Sequence, residues 1–429
     1  MLKRSINIST LLLVGCIFIY FGLLLIFDLN FTINTSYTLF TIGLAVLIPI
    51  MIVNFIVSKW DRRSFKLLIQ ALLLVILGIF CYNRAYIFFS LIPVVVGFYL
   101  LAESIVKTIS TYVMFQDHLN GRYRKLIMTI LYYILSIELI FYPFDHILIF
   151  SWIISVYFIA YGCSFLVRGI VEMIPNSWID WLDAKVQISI PPLFAAILPP
   201  HLIQVILNNE DQDYDVVKQN IPCDLEVYVH VAKSGPAQLG HCDLVYRNMV
   251  ISYGCYDPHV RGLFGTYGDG VVLYAPKNPY FYNCLKRENK VIACFGIALK
   301  ESEKKALEEA ISESFENLTL FESDMDLKKQ GIQPKGACDD YLSRVSTYVE
   351  NARYYKIKKG KFRTFFVFYT NCVTYMAQFL HAIGFSLWDF SGIISPGAYY
   401  DFLNNELKSD KGHVIYRKIY TKKDADLFR

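Results

Sequence analysis

The stretch TNCVTYMAQFL, Thr370 to Leu380, decides how the second half of this 429-residue chain is read. Val373, Met376, Ala377 and Leu380 fall on one helical face. Gly384 is placed to stop that helix. The helix therefore opens at Cys372, directly after Asn371. A thiol attacks only as thiolate. A helix N-terminus, with free N–H groups and a positive dipole end, favours the thiolate, and a nearby imidazole can hold its proton. A lone buried cysteine is ordinarily an inert small hydrophobe. What separates a nucleophile from a packed thiol here is a histidine partner.

LGHCDLV supplies one: His241 opens a strand immediately after Gly240, and glycine there permits close approach. The backbone N–H of Cys372 is available to an oxyanion. Asn371 either adds a side-chain donor or caps the helix. His230, His259 and His381 have no motif around them. Cys242 points to the other strand face, and Cys255 and Cys294 read as packed thiols. The crowding of His241, Cys242, Cys255 and His259 fits no common zinc spacing, so neither metal nor cofactor is expected.

Around this pair the pattern is α+β. LEVYVHVAK, HCDLVYR, MVISYGCY, GVVLYAP and VIACFGIAL read as strands. Ser302–Leu318 reads as an amphipathic helix, Arg353–Lys361 is basic, and FRTFFVFY reads as a further strand. The span 221–429 is long enough to bury its own core.

The first half has a different character. The chain is 55% hydrophobic, and the apolar excess lies before about residue 175. Six runs are long enough to span a bilayer, which takes about 20 residues: Ile8–Phe27, Tyr37–Val57, Phe65–Tyr82, Ala85–Val106, Leu126–Tyr142 and Ile147–Ile170. No small-x-small site follows the first, so it reads as an uncleaved anchor. Lys3, Arg4, Lys59, Arg62, Arg63, Lys66, Lys107, Arg122, Arg124, Lys125, Arg168 and Lys185 fall on one side, with Arg84 the exception. That bias places both termini and the second half in the cytoplasm. Ten cysteines without a CxxC pair suit a reducing compartment. The sequons at Asn30 and Asn34 hug the membrane and are read as chance. Net charge is +4 with no basic stripe, which argues against nucleic acid, and KKGK at 358–361 reads as a solvated or lipid-headgroup patch.

The helical half repeats. GLAVLIPIMI from Gly43, GFYLLAESIV from Gly97 and GCSFLVRGIV from Gly162 align, each glycine followed four residues later by leucine. Glycine lets helices approach closely in lipid, so three two-helix units are expected. Glu103 and Arg168 sit near one aligned place, as an interhelical pair or as snorkelling ends. Glu138 lies about one turn from the outer surface. Residues 173–220, with two tryptophans and IPPLFAAILPPHLIQVIL, read as an interfacial segment and linker. The repeat pattern resembles the HdeD-like membrane family over roughly residues 8–172, which implies six helices in three hairpins.

The second half also carries a resemblance. Gly240 and His241 lead an apolar strand, and Tyr253 and Gly254 end the next. Asn371 and Cys372 open a helix, and Ser395, Pro396, Gly397, Tyr399 and Tyr400 lie beyond it. This order resembles the circularly permuted papain-like fold, which includes NlpC-related amidases and the lecithin:retinol acyltransferase family, over about residues 225–405. The resemblance implies Cys372 as nucleophile, His241 as general base, and a polar residue on the following strand to orient the imidazole. Tyr253 stands at that place, although a phenol is a weaker partner than a carboxylate; Ser252, Asp257 and Asp243 are the alternatives.

The expectation is thus a multi-domain membrane protein. Residues 1–172 form an all-α six-transmembrane-helix bundle of three hairpin repeats. Residues 173–220 are the interfacial linker, and residues 221–429 form a cytoplasmic α+β permuted papain-like domain. The expected function is a membrane-anchored cysteine hydrolase (amidase) or acyltransferase. It works through an acyl-thioester on Cys372, on a lipid-like, acylated or amide-bearing substrate at the bilayer. The alternative is a catalytically degenerate binding module on an HdeD-like membrane stress protein.

Overall fold

The computed structural model describes residues 2–57, 62–81, 85–143, 147–171, 215–219, 221–232, 240–385, 396–408 and 412–429. The chain divides into two units: residues 1–105 with 127–188, and residues 106–126 with 189–429. Of the interfacial segment and linker expected over 173–220, all but residues 215–219 lies outside the described residues.

The helical part runs α1 Leu2–Phe27, α2 Leu29–Val57, α3 Arg62–Cys81, α4 Ala85–Gln116, α5 Arg122–Phe141 and α6 Ile147–Val171. Two stretches among the described residues, Ile33–Ile56 and Pro93–Gln116, are long and apolar enough to cross a membrane. Leu13, Ile17, Val46, Ile50, Ile76 and Ile134 are exposed, as suits an apolar surround. α1 packs most closely on α6, where a Cβ on Gly15 or Gly162 would collide with the other's carbonyl oxygen, at 2.9 and 2.7 Å. Gly97 is closed in the same way by Ile140 of α5, whereas Gly43 faces open space. Two of the three repeat glycines therefore lie at helix contacts. The expected fourth helix runs past Val106 to Gln116, and the second begins at Leu29, enclosing both sequons. The side chain of Arg168 lies outside the described residues, so the Glu103–Arg168 pair does too.

The α+β part is built on a nine-stranded antiparallel sheet among the described residues, in the order β1-β11-β7-β2-β3-β4-β6-β9-β8. The strands are β1 Val216–Val217, β2 Leu225–Ala232, β3 His241–Tyr246, β4 Met249–Gly254, β6 Val271–Pro276, β7 Lys290–Ile297, β8 Leu318–Phe321, β9 Arg353–Ile357 and β11 Val414–Tyr420. β5 Tyr267–Asp269 and β10 Thr364–Phe366 form a separate two-stranded ribbon. The expected strand FRTFFVFY is therefore short. Phe366 N–H bonds back to Thr370 Oγ1, ending extended structure early so that the chain can turn into the Cys372 helix. The basic segment Arg353–Lys361 is extended as β9 as far as Ile357.

The helices are α7 Lys277–Lys286, α8 Glu301–Glu316, α9 Asp324–Lys329, α10 Tyr341–Tyr348, α11 Cys372–Ala382 and α12 Pro396–Lys408. Each sheet face has its own core. On one, α11 and α12 bury Cys242, Leu244, Tyr253, Met376 and Tyr399. On the other, α7 and α10 bury Val245, Val250, Tyr280 and Leu342. β3 and β4 are joined by Arg247 and Asn248, both at positive φ (48° and 60°), the geometry of a two-residue hairpin turn. This turn pairs Asp243 with Ser252.

Candidate functional site

The nucleophile's end of α11 is built by capping. Asn371 Oδ1 accepts from the Thr374 N–H (3.0 Å), and the Thr374 hydroxyl accepts from the Asn371 N–H (3.0 Å), a reciprocal capping box. Asn371 Nδ2 donates to the Val367 carbonyl (2.7 Å). The Asn371 side chain thus caps the helix, with Oδ1 on the Thr374 N–H and Nδ2 donating to the Val367 carbonyl. The Cys372 N–H, at the first helical position, has no intrahelical partner by the geometry of a helix start. Gly384, at φ 96°, terminates the same helix.

His241 stands at the head of β3. Gly240 sits at φ 84°, and a Cβ there would meet Pro396 Cβ at 2.9 Å and the His230 carbonyl at 3.1 Å. That close approach is what lets α12 press against the strand's start. The imidazole and the Cys372 thiol are near enough to act on each other's protonation. The opposite nitrogen, Nε2, is 2.8 Å from Ser252 Oγ and 2.9 Å from Tyr256 Oη, which lie 2.7 Å from each other. Nε2 is also 2.8 Å from Asp243 Oδ1, out of line with a hydrogen bond, so that contact is a close charge pair. With Nε2 so occupied, Nδ1 is the nitrogen left for the thiol.

Beneath the imidazole, Asp243 is fully buried. Its Oδ2 accepts from Tyr280 Oη at 3.0 Å and lies 2.7 Å from His230 Nε2. Burial opposes the charge on Asp243, but His241 and then His230 hold the carboxyl well below its usual range. Burial also pushes His230 down to about 4, so His230 is neutral near pH 7. For His241 burial is again the largest influence and acts against protonation; Asp243 and then Cys372 outweigh it and hold the imidazole up at about 10. The Cys242 thiol, bonding to the Cys372 sulfur, is the largest influence holding Cys372 well below the ordinary thiol range. Burial resists this and the His241 charge assists it. The three shifts act together, the thiol held down, the imidazole up and the carboxyl down, each in the direction that favours its charged form.

Tyr253 does not join it. Strand alternation turns Tyr253 to the opposite face from Ser252. There its hydroxyl donates to the Phe362 carbonyl (2.8 Å) and its ring stacks on Tyr375, centroids 4.5 Å apart. Asp257 is elsewhere too: Oδ2 pairs with Lys356 at 2.6 Å and Oδ1 accepts the His259 N–H. Of the four residues considered for the orienting role, Ser252 and Asp243 meet His241, and Tyr253 and Asp257 do not.

Three participants carry no motif. Tyr256 folds back because Gly254 has no side chain; a Cβ there would sit 2.7 Å from the Tyr256 ring. His230 arrives through strand register, paired across β2–β3 with His241. Cys242, expected to face away from the site because it alternates with His241, shares a face with α11 and meets the nucleophile. Pro396, Gly397, Tyr399 and Tyr400 open α12; Ser395 lies outside the described residues. Among the described residues, no group of three or more His, Cys, Asp or Glu side chains could hold a metal ion.

Cys372 is 5% exposed, while His241 keeps an edge at the surface, 21% exposed. A cavity of about 720 Å³ runs along α11, lined by Thr374, Tyr375, Gln378 and His381 with Lys359 and Lys361. It begins two residues beyond the nucleophile and is not lined by Cys372 itself.

A family described as a short repeat of unknown function (DUF308) matches residues 69–141. The match is consistent with the likeness of the N-terminal half to HdeD-like membrane proteins. No curated protein and no solved structure matches the chain.

Proposed function

We propose that the protein is a membrane-anchored cysteine amidase or acyltransferase of permuted papain-like architecture. Its six helices would span the bilayer, with the catalytic part on the cytoplasmic face. The observation that carries this reading is the thiol at a helix N-terminus within reach of an imidazole whose far nitrogen is held by a buried carboxylate and two hydroxyls. The exposed apolar helices and the loop-charge bias support the membrane assignment.

In this reading the Cys372 thiolate attacks the carbonyl carbon of an amide or ester. The Cys372 N–H supports the oxyanion. The His241 imidazolium gives its proton to the leaving nitrogen or oxygen as the C–N or C–O bond breaks, leaving a thioester. His241 then takes a proton from water or an acceptor alcohol or amine, whose attack releases the acyl group and frees the thiolate, restoring the imidazolium. Asp243, Ser252 and Tyr256 fix the ring and stabilise its charge. A substrate held at the bilayer, lipid-like or acylated, follows from the anchor.

Incubating the full-length protein with a cell lipid extract and weighing it whole tests this. An acyl adduct mapped to Cys372 and abolished in His241→Ala is expected; an unmodified Cys372 that also ignores iodoacetamide and vinyl-sulfone probes overturns it. A second reading, a binding module without turnover, draws on one observation: Cys372 is nearly enclosed, and among the described residues the cavity on α11 passes it by. Tight probe binding without any covalent adduct would favour that reading.

A further inference from the structure

The turn joining α4 to α5 belongs to the same unit as the sheet. Asp117, at the start of that turn, is buried and receives donors from one short strand. Thr364 N–H reaches Oδ2 at 3.1 Å, the Thr364 hydroxyl reaches Oδ1 at 3.0 Å, and Arg363 Nη1 lies 3.3 Å from Oδ1. The neighbouring contacts repeat the pattern. Gln116 Oε1 accepts from Tyr267 Oη (2.7 Å) on β5, the strand paired with β10. Lys125 stands 5.7 Å over the Tyr369 ring. Residues on both sides of the α4–α5 turn are therefore fastened to the β5–β10 ribbon and to the chain that leaves it.

That ribbon leads straight to the nucleophile. The Thr370 hydroxyl donates to the Thr364 carbonyl (2.6 Å), and Thr370 Oγ1 in turn accepts from the Phe366 N–H (3.0 Å). Thr370 is two residues before Cys372 and is fully buried. Thr364 is thus gripped by Asp117 on one side and grips Thr370 on the other. A turn of this kind would be mobile if its polar groups faced water alone; here a carboxylate supplied by a distant part of the chain satisfies them.

We propose that Asp117 is a positioning residue for Cys372: through Thr364 and Thr370 it fixes the turn that presents the thiol to His241. The proposal rests on the cysteine-nucleophile reading. Asp117 touches neither reacting atom. Its effect is on how often the sulfur occupies the place beside the imidazole, and so on how much thiolate is present near neutral pH.

The test uses the full-length protein in lipid nanodiscs. Iodoacetamide alkylation of Cys372 is followed by mass spectrometry from pH 5.5 to 9, with Cys338, partly exposed in the same domain, as internal control. Hydrogen exchange of the 364–375 peptide is measured alongside. D117N is expected to slow Cys372 alkylation at pH 7 about tenfold and move its pH midpoint upward, with Cys338 unchanged and exchange over 364–375 raised. T364V, which removes only one of the donors, is expected to do the same to a smaller degree, and the double variant to be no worse than D117N alone. Wild-type alkylation and exchange in folded D117N, or losses that simply add in the double variant, overturn the proposal. If D117N does not fold, T364V and R363A leave the carboxylate in place and carry the test under the same criteria. If wild-type Cys372 reacts as an ordinary thiol, the nucleophile reading fails by itself; the exchange of 364–375 in D117N then decides whether the turn is held by Asp117.

Discussion

The two faces of the β3–β4 hairpin hold neighbouring residues in opposite kinds of surroundings. On one, Asp243 and Ser252 stand opposite each other beneath His241, and every polar atom leads toward a charge. On the other, Tyr253 and Cys242 are packed under α11 among aromatic rings, and the Tyr253 hydroxyl is spent on a main-chain carbonyl. The same contrast separates two buried thiols that touch. Burial pushes Cys242 far up, while the Cys242 hydrogen bond and the imidazolium hold Cys372 far down. Burial does not make a cysteine reactive or inert; the groups that oppose its desolvation do.

Removing the charge from the polar face breaks this contrast most completely. His241→Ala is expected to cut acyl transfer by about 10²–10⁴-fold, the range for loss of a general acid–base. Its alkylation by iodoacetamide should fall most at pH 6 and least at pH 9, measured as second-order rates. Asp243→Ala leaves two histidines around a hole where a buried charge stood, and a loss of about 3–5 kcal/mol in unfolding free energy is expected by denaturant titration. The pH dependence follows from the same group. His241 is held at about 10 when folded, against about 6.5 unfolded. Its stabilisation is therefore complete below about pH 6.5 and lost as pH rises through about 10. The difference in Tm between wild type and His241→Gln should shrink across that window.

The smallest effects sharpen the comparison. Tyr256→Phe removes one of the partners of His241 Nε2 and should slow Cys372 alkylation several-fold with little change in Tm. Tyr253→Phe orphans the Phe362 carbonyl and should cost about 1 kcal/mol of stability while leaving the alkylation rate alone. The reverse result for the two phenols would exchange their assigned faces.

Cys372 and His241 were legible because their signals are local: a helix opening after Asn371, and a strand opening after Gly240. The orienting group was not. Ser252 and Tyr253 are adjacent, both polar and both in a strand, and only the register of the hairpin tells them apart. Tyr256 depends on the missing side chain of Gly254, and His230 on pairing between β2 and β3, neither of which leaves a periodic trace. α7, KNPYFYNCLK, was missed because its buried aromatic residues follow no clean helical stripe. In the helical half the apolar runs were plain, but hydropathy says nothing about neighbours, and the close packing of α1 on α6 joins the ends of the series.

The left-handed dipeptide Arg247–Asn248 therefore acts as a selector. Because side chains alternate with a period of two, lengthening that bend by a single amino acid would rotate the returning strand by half a turn. A phenol would then swing beneath the imidazole and the serine hydroxyl into the aromatic layer. Which of two adjacent letters serves the site is settled by the length of a bend several residues away.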